Sequence, residues 1–136
     1  KQMPMSFVMK VKTQTGYMNV AGPELTALDI VDDEKKIGGL SRAAEVLMEM
    51  CPSMHWDESK LQLLPFFSIP TIQRLGFILE QIEEMDIANA LFSLILQDKR
   101  AMRKTWLKHS KESIAKANLN NRWKIIDNYK LEIDDI

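Results

Sequence analysis

SIPTIQRLGFILEQI, residues 68–82, carries the clearest helical signal in the chain. Ser68 offers a side-chain oxygen to the free N–H groups of a first turn, and Pro70 is preset to a helical φ there. Ile72, Leu75, Leu79 and Ile82 return at three- and four-residue intervals, which draws an apolar stripe down one side of a helix. Gly76 lies on that stripe. A glycine inside a helix costs about 1 kcal/mol relative to alanine. Its presence predicts that another part of the chain passes very close, with a backbone as the expected neighbour.

Further helices follow on either side. Ile87, Ala90, Leu91, Leu94 and Ile95 repeat the same spacing, with Asp86 placed to cap them. Upstream, Gly22-Pro23-Glu24 starts a helix through Leu25, Leu28 and Val31, which Asp32-Asp33 ends. Gly38-Gly39 reads as a turn, and Leu40, Ala43, Ala44 and Leu47 form an amphipathic helix stopped by Pro52. Residues 57–67 are a fainter helical patch containing Leu61 and Leu64, broken at Pro65.

The flanks change period. Phe7, Met9 and Val11 alternate with Val8, Lys10 and Lys12, and Tyr17 to Val20 return after Thr15-Gly16, a hairpin pattern. Thr105 to Leu107 reads as a short strand, Asn118 to Asn121 as loop chemistry. Trp123–Ile126 and Tyr129–Ile133 read as a closing hairpin around Asp127-Asn128. Strands, a run of four to five helices and strands again predict an α+β domain over residues 1–136, the terminal strands sharing one small sheet.

An apolar share of 46% and a charged share of 27% place the chain among folded globular proteins. No apolar run approaches the roughly 18–20 residues that cross a bilayer. The opening KQMPMSFVMK lacks the apolar core of a secretory signal, and it lacks an initiator methionine, as expected of a piece of something longer. Cys51 is the lone cysteine, which favours a reducing compartment and predicts a cytoplasmic location.

The net charge of −1 conceals an uneven distribution. Residues 99–116 carry Lys99, Arg100, Arg103, Lys104, Lys108, Lys111 and Lys116 against Glu112 alone, a balance of +6. Trp106 sits among them. Interleaved cations and an aromatic are the footprint of a surface that meets nucleic-acid phosphate or an acidic partner, and a plain solvated loop is the simpler alternative. The candidate patch is Lys99, Arg100, Arg103, Lys104, Lys108 and Lys111. Residues 24–34 and 80–86 are acid-rich instead.

Catalytic patterns are sparse. Cys51 with His55 or His109 could be imagined as a nucleophile and base, but a cysteine closing an amphipathic helix is ordinarily a small buried hydrophobe. One cysteine and two histidines do not compose a zinc site. Phosphate-binding glycine loops and hydrolase motifs are absent. The [DE]xK pattern of magnesium nucleases occurs at Glu34-Lys35-Lys36 and Glu58-Ser59-Lys60, neither on a predicted strand, and Lys60 is expected to lie along Leu61 on a helix surface. Asp127, Glu132, Asp134 and Asp135 read as the solvated side of a last strand and a frayed chain end, not as metal ligands. No catalytic residue, metal ligand or cofactor is predicted. Trp56, Trp106 and Trp123 are assigned mainly to packing.

Four stretches in order, TGYMNVAGPELTALDIV (15–31), IGGLSRAAEVLMEM (37–50), IQRLGFILE (72–80) and NNRWKIIDNYKLEIDD (120–135), resemble the C-terminal domain of AbiEi-type antitoxins. These are regulators of type IV toxin–antitoxin systems linked to abortive phage infection. The resemblance implies a non-enzymatic domain that contributes to operon repression and to neutralising a nucleotidyltransferase-like toxin. It also implies operator DNA as a partner, contacted mainly through an N-terminal winged-helix domain that these 136 residues lack. Pro23, Glu24, Gly38, Gly39, Arg74 and Gly76 carry over as scaffold. A nuclease-like domain and a stand-alone interaction module with an apolar groove near Gly76 are the alternatives.

Overall fold

The computed structural model describes residues 8–13, 16–108 and 118–132, with side chains described from Gly22 onward. Its centre is helix α3 (Ile69–Gln81), which packs against α1 (Pro23–Asp32), α2 (Leu40–Met50) and α4 (Met85–Ile95). Ser68 caps α3 as the sequence predicts, its hydroxyl accepting the Thr71 N–H at 3.3 Å. Ile72, Leu75, Ile78 and Leu79 are fully buried, and so is Gln73. The helix is therefore enclosed on more sides than one stripe suggests.

Local chemistry explains the other boundaries. Gly22 and Pro23 open α1, and α1 ends at Asp32. A single 3-10 turn (Glu34–Ile37) then leads into Gly38 and Gly39, whose φ values of 106° and 103° suit residues without a Cβ. They turn the chain into α2. Helix α3 stops differently: Glu83 takes φ 65°, its N–H reaches Glu80 C=O at 3.1 Å, and Glu84 N–H reaches Leu79 C=O at 2.9 Å. That pair of bonds satisfies the last carbonyls of the helix. It also starts α4 one residue before Asp86, so Asp86 falls in the first turn and Glu84 takes the cap position. The 57–67 patch is two 3-10 turns, Glu58–Lys60 and Leu64–Phe66, because Pro65 denies it a continuous helix.

The strands complete an α+β fold but divide into two sheets. β1 (Val8–Thr13) and β2 (Gly16–Ala21) form an antiparallel hairpin, Val8 opposite Ala21. β3 (Thr105–Trp106), β4 (Asn118–Asn120) and β5 (Ile125–Asp127) form the other, ordered β3-β5-β4, with β3 parallel and β4 antiparallel to β5. The single shared sheet predicted for the termini does not form among the described residues, because β5 has both edges filled from its own half of the chain. The closing hairpin is likewise displaced. Its turn spans residues 121–124, where Asn120 Oδ1 accepts the Trp123 N–H at 2.8 Å and Lys124 takes φ 52°. Asn118–Asn120, predicted as loop, is thus a strand. Residues 129–132, predicted as strand, instead cross α2. There Tyr129 Oη lies 3.3 Å from Ser41 Oγ, and Glu132 N–H donates to Ser41 Oγ at 2.9 Å. Ile133, Asp134 and Asp135 lie outside the described residues.

The close neighbour predicted for Gly76 is real, but it is a side chain. The Trp123 indole lies against Gly76, and a Cβ built there would collide with three carbons of its six-membered ring. Trp123 is fully buried, its ring edge-on to Phe92 at 5.1 Å. Its indole N–H donates to Glu80, which also accepts Arg122 at 3.2 Å, and the Arg122 guanidinium covers Phe92 at 4.4 Å. Gly76→Ala should cost about 3 kcal/mol by overpacking. In a Trp123→Leu background the same change should be nearly neutral, since the collision is gone and alanine is the better helix former. Urea midpoints across the four variants check this. Equal losses in both backgrounds would mean that the indole is not what requires glycine.

Candidate functional site

The basic segment after α4 is fixed to the helical body by its backbone. Gln73 Nε2 donates to Arg103 C=O at 2.8 Å and to Trp123 C=O at 2.7 Å. Arg74 Nε donates to Trp106 C=O at 2.8 Å. Thr105 N–H reaches Lys124 C=O at 3.0 Å, and Leu107 N–H reaches Ile126 C=O at 3.1 Å. Two buried or half-buried polar side chains of α3 thus hold a segment that buries Leu107 and leaves Arg103, Lys104 and Lys108 exposed.

Arg100 departs from its expected place in the patch. Its guanidinium donates to Phe67 C=O at 2.7 Å and Leu64 C=O at 3.0 Å, and it pairs with Asp98 at 3.0 Å. The charge is locally balanced, and this bond to Arg100 holds the Asp98 carboxyl below its ordinary pKa. Arg100 is therefore a clasp between the 64–67 turn and the chain leaving α4. The one hint in the sequence is the Asp98-Lys99-Arg100 spacing. Lys99, Arg103, Lys104 and Lys108 are exposed. Lys108 Nζ lies 4.6 Å from the Tyr129 ring centroid, and its backbone exchanges bonds of 2.8 and 2.7 Å with the Asn128 amide. Lys111 lies outside the described residues. Lys124, which sequence reasoning did not include, is exposed in the turn beside them.

Two clefts flank this scaffold. One, of about 250 Å³, is lined by Val31, Asp32, Glu34, Leu40, Arg74 and Leu107. Burial pulls the Arg74 guanidinium below its ordinary pKa, with Glu34 and Asp32 opposing the shift. The other, of about 300 Å³, lies between residues 54–57 and the first turns of α4. The loop that forms it is tied to α1 by Glu24, a buried carboxylate that accepts the His55 N–H at 2.7 Å and faces Lys60 Nζ at 3.5 Å. Lys60 also donates to His55 C=O at 2.9 Å, so it braces the loop and does not lie along Leu61. The groove anticipated near Gly76 is filled by Trp123.

Both [DE]xK stretches fall on 3-10 turns. Among the described residues no three His, Cys, Asp or Glu side chains gather as a metal-holding group. Nor is any described helix long and apolar enough to cross a membrane. Cys51 is buried, and burial, aided by Glu84, pushes its thiol up to about 12. At neutral pH it stays protonated, the unreactive form.

The fold and its surfaces define a small α+β domain with a helical core and a braced cationic segment. The chain belongs to the AbiEi antitoxin C-terminal domain family, whose pattern matches residues 3–81. That span contains three of the four resembling stretches and ends with α3, while residues 120–135 lie beyond it. No curated protein and no solved structure matches the chain.

The Cys51 environment makes a direct prediction. In the folded protein the thiol should resist iodoacetamide at pH 8 and become alkylated at the rate of free cysteine once urea unfolds the chain. Because the fold retains a proton that the unfolded chain releases above about 9.0, stability should fall as pH rises from there toward about 12. Rapid alkylation under native conditions would contradict this.

Proposed function

We propose that this antitoxin domain acts in the cytoplasm without chemistry of its own, contributing to repression of a toxin–antitoxin operon and to neutralising a nucleotidyltransferase-like toxin. The cationic surface of Lys99, Arg103, Lys104 and Lys108 is the part that meets DNA phosphate. Family membership supports the antitoxin role. The observation that carries the DNA-facing reading is the combination of exposed cations with an immobilised backbone: Gln73, Arg74 and Arg100 hold the segment while these four side chains point away from the core. Binding by such a surface is electrostatic and blind to sequence, so operator choice belongs to a winged-helix domain of the whole protein.

Arg100 separates charge from architecture. Arg103→Ala with Lys104→Ala should leave the urea midpoint unchanged, weaken DNA binding by the full protein, and lower the slope of log K against log salt by about 1–2. Arg100→Ala should instead lower stability by about 2 kcal/mol, since two buried carbonyls lose a charged donor. Fluorescence anisotropy on a duplex at several salt concentrations reads the first pair, and denaturation reads the second. An unchanged salt slope in the double variant would overturn the DNA-facing assignment.

A further inference from the structure

One face of the three-stranded sheet carries an apolar row that phosphate contacts leave unused. Strand register sets it out. Thr105 stands opposite Ile125 and Trp106 opposite Ile126, and Leu119 faces Ile126 from the other edge. Side chains alternate between faces along a strand, and residues directly opposite share a face. Ile125 and Leu107 are 0% and 1% exposed, so the face they share with Thr105 is turned to the core. Trp106, Ile126 and Leu119 therefore lie together on the other face, in a row two strand spacings long, about 10 Å.

That row is not part of the core. Trp106 and Ile126 are half-buried, Leu119 is 37% exposed, and none of the three packs into the apolar cluster around α3. Trp106, assigned to packing from the sequence, thus differs from the other two tryptophans. Trp123 is buried, and so is Trp56, whose indole N–H has no acceptor among the described residues. Among the described residues no ring or cation is stacked on Trp106. Its backbone is nonetheless held, since Arg74 Nε donates to its carbonyl at 2.8 Å.

Charge selects the occupant. Lys104 and Lys108 stand two positions to either side of Trp106, and Lys124 sits in the turn just before β5, all three exposed. Asp127, the one carboxylate among the described strand residues of this sheet, shares the Ile125 face instead. A second copy of the chain would bring these lysines against themselves. Cations around an accessible aromatic suit a ligand that offers both phosphate and a flat π-surface. A duplex keeps its base faces inside the stack, whereas an unpaired strand presents them.

We propose that this sheet face binds single-stranded nucleic acid, one base stacking on Trp106 and the next lying along Ile126 and Leu119, with Lys104, Lys108 and Lys124 meeting the flanking phosphates. The proposal rests on the reading of the cationic surface as phosphate-facing and adds a preference for unpaired strands.

The octanucleotide (dT)8 is the probe, added to the 136-residue chain at low salt. It should quench the intrinsic fluorescence saturably. Trp106→Phe should abolish the quenching yet keep the affinity, read by anisotropy of labelled (dT)8, within about twofold, because phenylalanine still stacks. Trp106→Ala should weaken (dT)8 about tenfold, the loss of one stacked base, while circular dichroism, duplex affinity and the salt slope stay as they were. Lys104→Ala should weaken both nucleic-acid forms and lower the salt slope by about 1. Quenching that survives Trp106→Phe, or equal losses for single and double strands in Trp106→Ala, would overturn the stacking platform and leave the phosphate-facing reading standing. A Leu-Glu-Leu-Glu peptide that quenches Trp106 where (dT)8 does not would likewise overturn it, in favour of a protein partner. Absence of binding to (dT)8 and duplex alike would overturn both readings.

Discussion

The Trp123 indole seated against Gly76 is the contact on which the rest of the fold depends. It joins the portion of chain ending at α3 to everything that follows. The indole ring fills the space that a side chain would occupy, and its N–H meets Glu80 one turn further along the same helix. Its carbonyl meets Gln73, one turn earlier. One residue is thereby gripped at three levels of α3, which fixes the height of β5 and, through β5, of β3 and β4. Arg122 and Phe92 then cover the ring, so α4 is drawn into the same arrangement.

Polar side chains hold this domain together at the points where helices alone would not. Gln73, Arg74 and Arg100 each donate to backbone carbonyls that no strand partner satisfies, and they do so across 30 or more residues of sequence. Buried carbonyls need donors, and charged or amide side chains that supply them set the path of an otherwise irregular segment. The consequence for function is a division among cations of similar appearance. Arg100 and Lys60 are structural, each matched to a carboxylate, whereas Lys99, Arg103 and Lys104 are exposed and have no ion pair among the described residues. On the acidic side, Glu24 is structural and Asp57 and Asp86 are accessible. The two faces that result differ in charge.

Much of the helical core was legible in the sequence because its signals are local. Ser68 with Pro70, Pro23 after Gly22, and the Gly38-Gly39 pair act within a few residues, and each stands where its chemistry predicts. The misplaced elements have non-local causes. Asn118–Asn120 carries no strand pattern and becomes β4 only because β5 offers an edge. Residues 129–132 do alternate, but Ser41 of α2 takes their hydrogen bonds. A glycine on an apolar stripe announced a close approach without naming the neighbour, and an indole took the place expected of a backbone. The basic segment was visible as composition, whereas the pairing of Arg100 with Asp98 and two distant carbonyls was not. The Trp56 cleft left no trace in the sequence, since its walls come from two segments some thirty positions apart.

By itself, then, the sequence determined the α+β class, the positions of the four helices, the uneven charge and the family resemblance, because periodicity, caps and composition are properties of short stretches. Among the described residues, the tertiary structure alone decided that the strands form two sheets, which cations are exposed, what occupies the notch at Gly76, and where an indole N–H has no acceptor. Each of these depends on which distant residue arrives at a given carbonyl, carboxylate or ring. Such meetings are set by packing around α3, not by neighbours along the chain.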